Sequence, residues 1–334
     1  MASALAAVAS GASQTSRASL APSYYSNDTS SEYEDGLARS EAGSPVPSDA
    51  VLDMEEPPAY SPATRFMPTL SLQIETAGKS AISLPVPPHP RPIPVYDIDA
   101  HGALGDARFL SLRASRRSGT STLVDAADQS VVRSCTTYRF GPGRNPQVKL
   151  LSPAAGAAGG GAMLEMDLED GQDGEVAGWD DFEVKRRGLL SRAVRLRTRL
   201  GTFEWRYASR AERRAAGADS LLVLDRVLTI AVALDDPATS SLVPFRRPKD
   251  EEVRTQVARL VRNDEFRSSG SSRSSAGNGG RLFIDFGIWD ESEKTEREMA
   301  VVLVVTTCLA MLKREVDRRR GQQIAIMGGA AGAA

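Results

Sequence analysis

Hydrophobic positions along the chain follow mainly a two-residue period. From residue 66 onward, short runs of alternating apolar and polar residues are separated by Gly, Pro, Asp and Ser, as is typical of antiparallel β-structure. The stretches 153–162 and 268–280 are rich in Gly, Ala or Ser and are predicted to be flexible insertions. About twelve strands are predicted: Thr69–Glu75, Ile93–Asp99, Arg108–Arg113, Val131–Phe140, Gln147–Leu151, Met163–Leu168, Phe182–Arg187, Ala193–Leu200, Thr202–Ala208, Leu221–Val227, Thr229–Leu234 and Leu282–Ile288.

One segment between the strands departs from this alternation. Val253, Val257, Leu260 and Val261 recur at helical spacing, with charged residues on the opposite side. The spacing predicts an amphipathic helix over Asp250–Asn263.

The last helix is the clearest predicted element. Met299–Leu312 contains no charge and is apolar apart from Thr306 and Thr307, so it must be buried on nearly every side. At 1.5 Å per residue it spans roughly 21 Å, whereas a membrane span needs about 20 such residues. Its Val content also suits a strand, but the run is longer than usual strands. A helix inside the protein is predicted.

Charged residues flank this helix at both ends. Asp290 and Glu293 are spaced as a capping pair, and Arg318–Arg320 followed by Gly321 favour a C-terminus there. A dozen strands followed by one apolar helix predict a mainly β fold, an antiparallel closed barrel around a buried C-terminal helix. The domain is placed at 65–321, between a tail at 1–64 and a disordered Gly/Ala tail at 322–334.

The first 64 residues are rich in Ser, Ala and Pro and carry an excess of acidic side chains, so disorder is predicted. This tail contains Pro57, Pro58, Ala59 and Tyr60, a PPxY motif whose prolines favour the extended conformation that WW domains bind. A WW-domain partner, such as a ubiquitin ligase, is therefore predicted, although short proline motifs also arise by chance.

Basic residues concentrate between positions 185 and 214. Along Val194–Leu200 the alternation is strict, so apolar side chains share one strand face and arginines the other. Three interpretations of this arginine face remain open: it contacts anionic membrane lipid, it is a solvated strand face, or it neutralises the acidic tail. The candidate lipid contacts are Lys185, Arg186, Arg187, Arg195, Arg197 and Arg199.

Aromatic residues on the next strand argue against nucleic acid as a partner. Phe203, Trp205 and Tyr207 alternate together and are predicted to pack against the central helix, so they do not form an exposed stacking platform. The formal net charge of -2 agrees with this prediction.

Catalytic chemistry has little support in the sequence. His89 and His101 have no Cys or His partner at metal-ligand spacing, and neither a nucleophile elbow nor a phosphate loop is present. We therefore predict no enzyme activity, no cofactor and no metal. Cys135 and Cys308 are too few for a disulfide framework, and together with the lack of a secretion signal they predict a cytoplasmic protein.

The chain resembles the Tubby C-terminal-like superfamily, which includes LURP-one-related proteins and phospholipid scramblases, and looks closest to fungal-type members. The resemblance covers roughly Arg65–Gly321 and rests on the 202–207 strand, the 221–234 region, the 282–286 strand and the final helix. It implies a barrel around a helix and phosphoinositide binding at the plasma membrane. The calcium loop, palmitoylation cluster and transmembrane span of scramblases have no counterpart.

These observations predict a non-catalytic binding or adaptor module. Its basic face would bind phosphoinositide or protein, while the PPxY motif recruits a WW domain. The alternative is a structural protein without lipid affinity whose tail alone makes contacts, and an undetected enzyme is a third reading.

Overall fold

The structure is a computed structural model that describes residues 66–86, 89–115, 118–139, 144–151, 179–188, 191–231, 250–289 and 294–331. Its helices are α1 (Arg210–Ala215) and α2 (Lys294–Ala331). Its strands are β1 (Leu70–Ile74), β2 (Ile93–Ile98), β3 (Leu104–Leu112), β4 (Thr120–Asp125), β5 (Val132–Thr137), β6 (Gln147–Leu151), β7 (Trp179–Glu183), β8 (Lys185–Arg186), β9 (Val194–Thr198), β10 (Gly201–Tyr207), β11 (Ser220–Ala231), β12 (Asp250–Arg262) and β13 (Gly280–Ile284).

Within these ranges, thirteen strands form one antiparallel sheet in the order β7-β6-β5-β4-β3-β2-β1-β13-β12-β11-β10-β9-β8. Most strands that are neighbours in the sheet are also consecutive in sequence. The exception is β1, which pairs with β13 and places Leu72 opposite Leu282. The two edge strands, β7 and β8, are consecutive in sequence. Near them the backbone N–H of Arg199 donates to the Asp180 carboxylate on β7 at 3.0 Å, so the sheet curls into a nearly closed barrel.

Helix α2 fills the barrel, as the sequence predicted. Every residue from Ala300 to Leu312 is buried. The two threonines in this run both have hydrogen-bond partners: Trp205 Nε1 donates to Thr307 Oγ1 at 2.9 Å, and Thr306 Oγ1 lies 2.6 Å from Ser134 Oγ. The helix is therefore joined to strands on two sides of the barrel by hydrogen bonds as well as by apolar packing.

The aromatic strand was predicted correctly. Phe203 and Trp205 are fully buried, and Tyr207 packs against the same core while its hydroxyl reaches a carboxylate on α2. All three side chains therefore pack against the interior of the barrel, as predicted.

The helix predicted over Asp250–Asn263 is wrong, because this segment is the long strand β12. A β-bulge beside Val257 puts both Val257 and Ala258 in the core. The extra residue shifts the two-residue period by one, so the apolar positions on either side of the bulge mimic helical spacing. A one-residue shift was enough to disguise the strand.

Other predicted boundaries also changed. The strands predicted at Leu221–Val227 and Thr229–Leu234 fall on the single strand β11 as far as Ala231, and residues 232–234 lie outside the described ranges. Strand β11 pairs along its whole length with β12, and β4 was missed. Phe182–Arg187 is divided between β7 and β8, and α2 ends at Ala331 instead of Gly321. The strand at Met163–Leu168, the insertion at 153–162, the capping pair and the PPxY motif lie outside the described residues.

Candidate anion-binding cleft

The six predicted lipid contacts lie on β8, on β9 and beside them. The alternation predicted for β9 is confirmed, since Val194 and Leu196 are buried and Arg197 is exposed. Arg186 and Arg199 are also exposed, and the Lys185 ammonium lies 3.6 Å from the Glu183 carboxylate. The remaining two, Arg187 and Arg195, cover a buried acid.

That acid is Glu204 on β10, whose side chain is only 1 % exposed although it points away from the core. Arg187, Arg195 and Arg254 each approach its carboxylate within 3.1 Å, and Glu252 pairs with Arg195 and Arg254 beside it. Burial alone would raise the pKa of Glu204, but hydrogen bonds from Arg195 and Arg254 lower it below its ordinary value. Each of these arginines is thus paired with a carboxylate, and an external anion would have to compete with Glu204.

A second basic region lies at the end of the barrel from which α2 emerges. The sheet, α1, the 263–279 connection and α2 enclose a cleft of about 430 Å³ there. Seven arginines and two carboxylates line it, an excess of five positive charges. We call it the arginine cleft, and its charged lining residues are Arg192, Arg213, Asp219, Arg262, Arg267, Arg273, Glu315, Arg318 and Arg319.

An ion pair between the sheet and the helix forms the floor of the cleft. Arg262, at the end of β12, donates to both carboxylate oxygens of Glu315 on α2 at 2.7 and 2.9 Å. Arg262 also donates to Asn278 Oδ1 at 3.2 Å and to Ser220 Oγ at 2.8 Å. The Tyr207 hydroxyl donates to Glu315 at 2.7 Å, so both partners are held by several hydrogen bonds.

The protonation states in this floor follow from its contacts. Burial would raise the pKa of Glu315, but hydrogen bonds and charge from Arg262, with smaller contributions from Tyr207 and the Gly277 N–H, bring it below its ordinary value. Burial and the neighbouring Glu315 charge raise the pKa of Tyr207. Glu315 is therefore ionised and Tyr207 neutral near pH 7, so the floor carries one charge of each sign.

Gly277 lets the 263–279 connection approach α2 closely. Its φ is +70°, and a Cβ there would lie 2.5 Å from the backbone oxygen of Leu312. Its N–H donates to Glu315 Oε2 at 2.8 Å. A side chain at this position would push the connection away from the helix and open the floor of the cleft.

The rim contains the remaining arginines. Asp219 accepts a hydrogen bond from Arg267 at 2.6 Å and pairs with Arg273 at 3.0 Å. Arg267 also pairs with Asp264 at 2.8 Å. Arg319 donates to the backbone oxygen of Ser274 at 3.0 Å, and Arg213 donates to that of Asp219 at 3.2 Å. Carbonyl oxygens orient these guanidinium groups but cancel none of their charge.

Arg192 and Arg318 complete the basic rim. The Arg192 guanidinium lies over the Tyr207 ring, 5.9 Å from its centroid. Among the described residues, no carboxylate forms an ion pair with Arg192 or Arg318, nor with the two carbonyl-bound arginines Arg213 and Arg319. Positive charge at the rim is therefore concentrated and oriented, which is the condition for binding an anion with several charges.

Sequence reasoning found only part of this cleft. Arg192 and Arg213 lie in the basic stretch it identified, but the other arginines come from β12, the connection after it and the end of α2. The run Arg318–Arg320 was interpreted only as favourable for the helix dipole. A cue was present in Arg273, which stands without any acidic neighbour in the Ser/Gly-rich stretch 268–280.

The structure also locates the histidines and cysteines considered as candidate catalytic or metal-binding residues. His89 and His101 are exposed, and neither lines the arginine cleft. Cys135 and Cys308 are unpaired thiols, and burial raises the pKa of Cys308 to about 12. In the part of the chain that the structure describes, no group of three His, Cys, Asp or Glu side chains is arranged to hold a metal ion. None of its described helices has the length and apolarity needed to cross a membrane.

Comparison with known proteins identifies no relative: no family model, no curated protein and no solved structure matches the chain.

Proposed function

We propose that the protein is a non-catalytic binding module that holds a phosphate-bearing ligand in the arginine cleft. The observation that carries the proposal is the excess of five positive charges around one concave site. Clefts lined by charge of one sign focus the electrostatic field and concentrate oppositely charged ligands. Guanidinium groups add a planar fork of donors that matches two phosphate oxygens at once.

The size of the cleft and the spread of its charge favour a compact ligand with more than one phosphate. Its volume of about 430 Å³ lies within the range of small-molecule sites. Its arginines come from α1, from α2, from the connection before β13, from the end of β12 and from the segment before β9, so they face the cleft from several directions. An inositol phosphate or a similar polyphosphate headgroup fits this arrangement better than a single phosphate.

The cleft is a better candidate for the ligand contact than the basic face around β9. On that face Arg187 and Arg195 already pair with Glu204, and displacing them would remove two of the three arginines that neutralise a buried carboxylate. In the cleft the floor pair is self-contained, and the four rim arginines without a carboxylate partner among the described residues retain their charge. An anion can bind at the rim without breaking the pair between Arg262 and Glu315.

The resemblance to the tubby-like superfamily belongs to the same proposal. A barrel around a buried helix supports it, and phosphoinositide is the headgroup class that it suggests. The localisation that goes with this function is cytoplasmic and peripheral at the plasma membrane. The alternative remains a structural protein with no affinity for anions whose tail makes its contacts.

Binding of inositol 1,4,5-trisphosphate to the full chain, measured by isothermal titration calorimetry, tests the cleft. The double variant Arg318→Gln/Arg319→Gln is expected to lose about tenfold or more in affinity, because each arginine offers charge-assisted hydrogen bonds to phosphate. Affinity of the unaltered chain should also fall as salt is raised.

A charge-matched control for this titration is Arg91→Gln/Arg197→Gln, in which two exposed arginines outside the cleft are replaced. It is expected to retain the affinity of the unaltered chain. Equal losses in both double variants would point to diffuse charge attraction and contradict a defined site. Absence of binding by the unaltered chain would favour the structural alternative.

Recruitment of a WW domain through the tail is a separate part of the proposal, because Pro57–Tyr60 lie outside the described residues. Tyr60→Ala in the full chain is expected to abolish binding to a PPxY-specific WW domain, measured by fluorescence anisotropy with a labelled domain, since the ring fills the recognition pocket. Tyr33→Ala in the same tail is the matched control and should bind normally. Retained binding by the Tyr60 variant would show that this motif is not used.

A further inference from the structure

An exposed apolar surface lies at the same end of the barrel as the arginine cleft. Ile82 and Leu84, before β2, are 98 % and 71 % exposed. On the projecting end of α2, Ile324, Ile326 and Met327 are 59 %, 72 % and 53 % exposed. The sequence from Gly321 to the end carries no charged residue. We call these five residues the apolar tip.

The two parts of the tip are held together. Gln323 on α2 donates through Nε2 to the backbone oxygen of Ala81 at 2.9 Å. Lys79 donates to the backbone oxygen of Leu84 and to Ser83 Oγ, which ties the segment into a compact turn. Ile82, Leu84, Ile326 and Met327 consequently line one open groove.

The apolar tip and the arginine cleft are direct neighbours. Gln322 lines the cleft, and the next residue, Gln323, lines the apolar groove. A β-bridge between Lys79 and Ala276 joins the segment that carries Ile82 to the connection that carries Arg273. Apolar side chains thus project beyond a band of arginines at one end of the barrel.

We propose that this end of the barrel docks on an anionic lipid membrane, with the apolar tip in the interfacial layer and the arginine cleft on a phosphorylated headgroup. The inference rests on the proposed function, and it adds a second contact with the membrane, the apolar tip, which lies outside the cleft. An exposed apolar helix end is favourable at the boundary between headgroups and acyl chains. Arginine at its base reaches the phosphate layer while its aliphatic stem stays among apolar groups.

The positive charge at this end of the barrel favours an anionic lipid surface over another protein as its binding partner. Beyond Asp317 the described part of the helix carries Arg318, Arg319 and Arg320 and then only uncharged residues, so α2 itself adds no acidic group to the surface that the tip would enter. The cytoplasmic leaflet is negatively charged and attracts basic residues adjacent to it. A second copy of the chain would bring the same excess of positive charge against this end and would be repelled.

Sedimentation of the full chain with vesicles tests the docking. Three vesicle compositions are used: phosphatidylcholine alone, phosphatidylcholine with phosphatidylserine, and phosphatidylcholine with phosphatidylinositol 4,5-bisphosphate. The chain is expected to pellet with the two anionic compositions, more strongly with the bisphosphate. Ile324→Gln/Ile326→Gln should weaken this binding by about tenfold or more, because the free energy gained when the two isoleucine side chains move from water into the membrane interface is lost.

A matched control is Leu228→Gln/Ile230→Gln, which replaces two half-exposed apolar residues on β11 and should pellet like the unaltered chain.

The tip variant should still bind soluble inositol 1,4,5-trisphosphate, because its cleft is intact. That combination supports the inference. Pelleting unaffected by the tip variant overturns the docking, and the proposed function survives unchanged. A chain that binds trisphosphate but no vesicle also overturns the docking, together with the membrane localisation, while phosphate binding in the cleft survives. A chain that binds neither ligand refutes both.

Insertion can be observed directly with Ile326→Trp. The emission of this tryptophan should shift to shorter wavelength when bisphosphate-containing vesicles are added, because the indole enters a less polar layer. The chain without this substitution supplies the background signal of its natural tryptophans. No shift at a vesicle concentration that pellets the protein would mean that the tip stays in water, and would overturn its assigned role.

Discussion

Changing Val304 to Asp is expected to unfold the β-domain. Val304 lies in the middle of the buried part of α2 and is 0 % exposed. An aspartate there would place a charge without partners in the barrel core, which costs several kcal/mol against a total stability of about 5–15 kcal/mol. Circular dichroism and urea denaturation of the purified chain would measure the loss of the folded state.

The matched control for this substitution is Ala325→Asp, which introduces the same side chain into the exposed end of the same helix. It should leave the unfolding transition nearly unchanged. A Val304→Asp protein with a normal, cooperative unfolding transition would contradict a helix enclosed by the barrel.

Arg262→Met is expected to have the second-largest effect, about 3–5 kcal/mol of lost stability. The variant leaves the Glu315 carboxylate buried without its bidentate partner, whereas Tyr207 and Gly277 can supply only two hydrogen bonds. Urea denaturation at neutral pH measures the loss. In the double variant Arg262→Met/Glu315→Leu no unpaired charge remains, so most of the stability should return. A double variant as unstable as the single one would show that packing, not the ion pair, is decisive.

The same pair predicts a change in the pH dependence of stability. The folded chain holds the pKa of Glu315 below its ordinary value of 4.5, so its contribution is complete above 4.5 and is lost as pH falls through the lower folded pKa. Without Arg262, burial dominates and raises this pKa above 4.5. The penalty in Arg262→Met should then shrink as pH falls from about 7 to about 5, while the double variant shows no such gain.

Much of the fold could be predicted because it depends on local patterns. Val194 and Leu196 point inward and Arg197 outward on β9, as a two-residue period requires. The uncharged run Met299–Leu312 could be stable only inside a protein core or in lipid, and its length decided between them. At β12 the same reasoning gave a helix, because the bulge at Val257 interrupts the period and is visible only against the partner strand.

The candidate site was less predictable because it depends on charges brought together from distant segments. The sequence displays Arg187 and Arg195 as prominently as Arg318 and Arg319. Their environments differ because β10 and β12 place Glu204 and Glu252 beside the first pair, while the turn of α2 leaves the second pair beside a cleft. Counting charges along the chain cannot make this distinction.

By itself, the sequence determined that the chain forms a β-domain with one apolar helix in its interior, since alternation and an uncharged run restrict which surfaces can face water. Only the tertiary structure decided which arginines are neutralised and which surround an open cleft next to an apolar tip. The reason is physical: burial follows from each segment's own pattern, whereas the net charge of a site is set by cross-strand and helix neighbours that lie far apart in sequence.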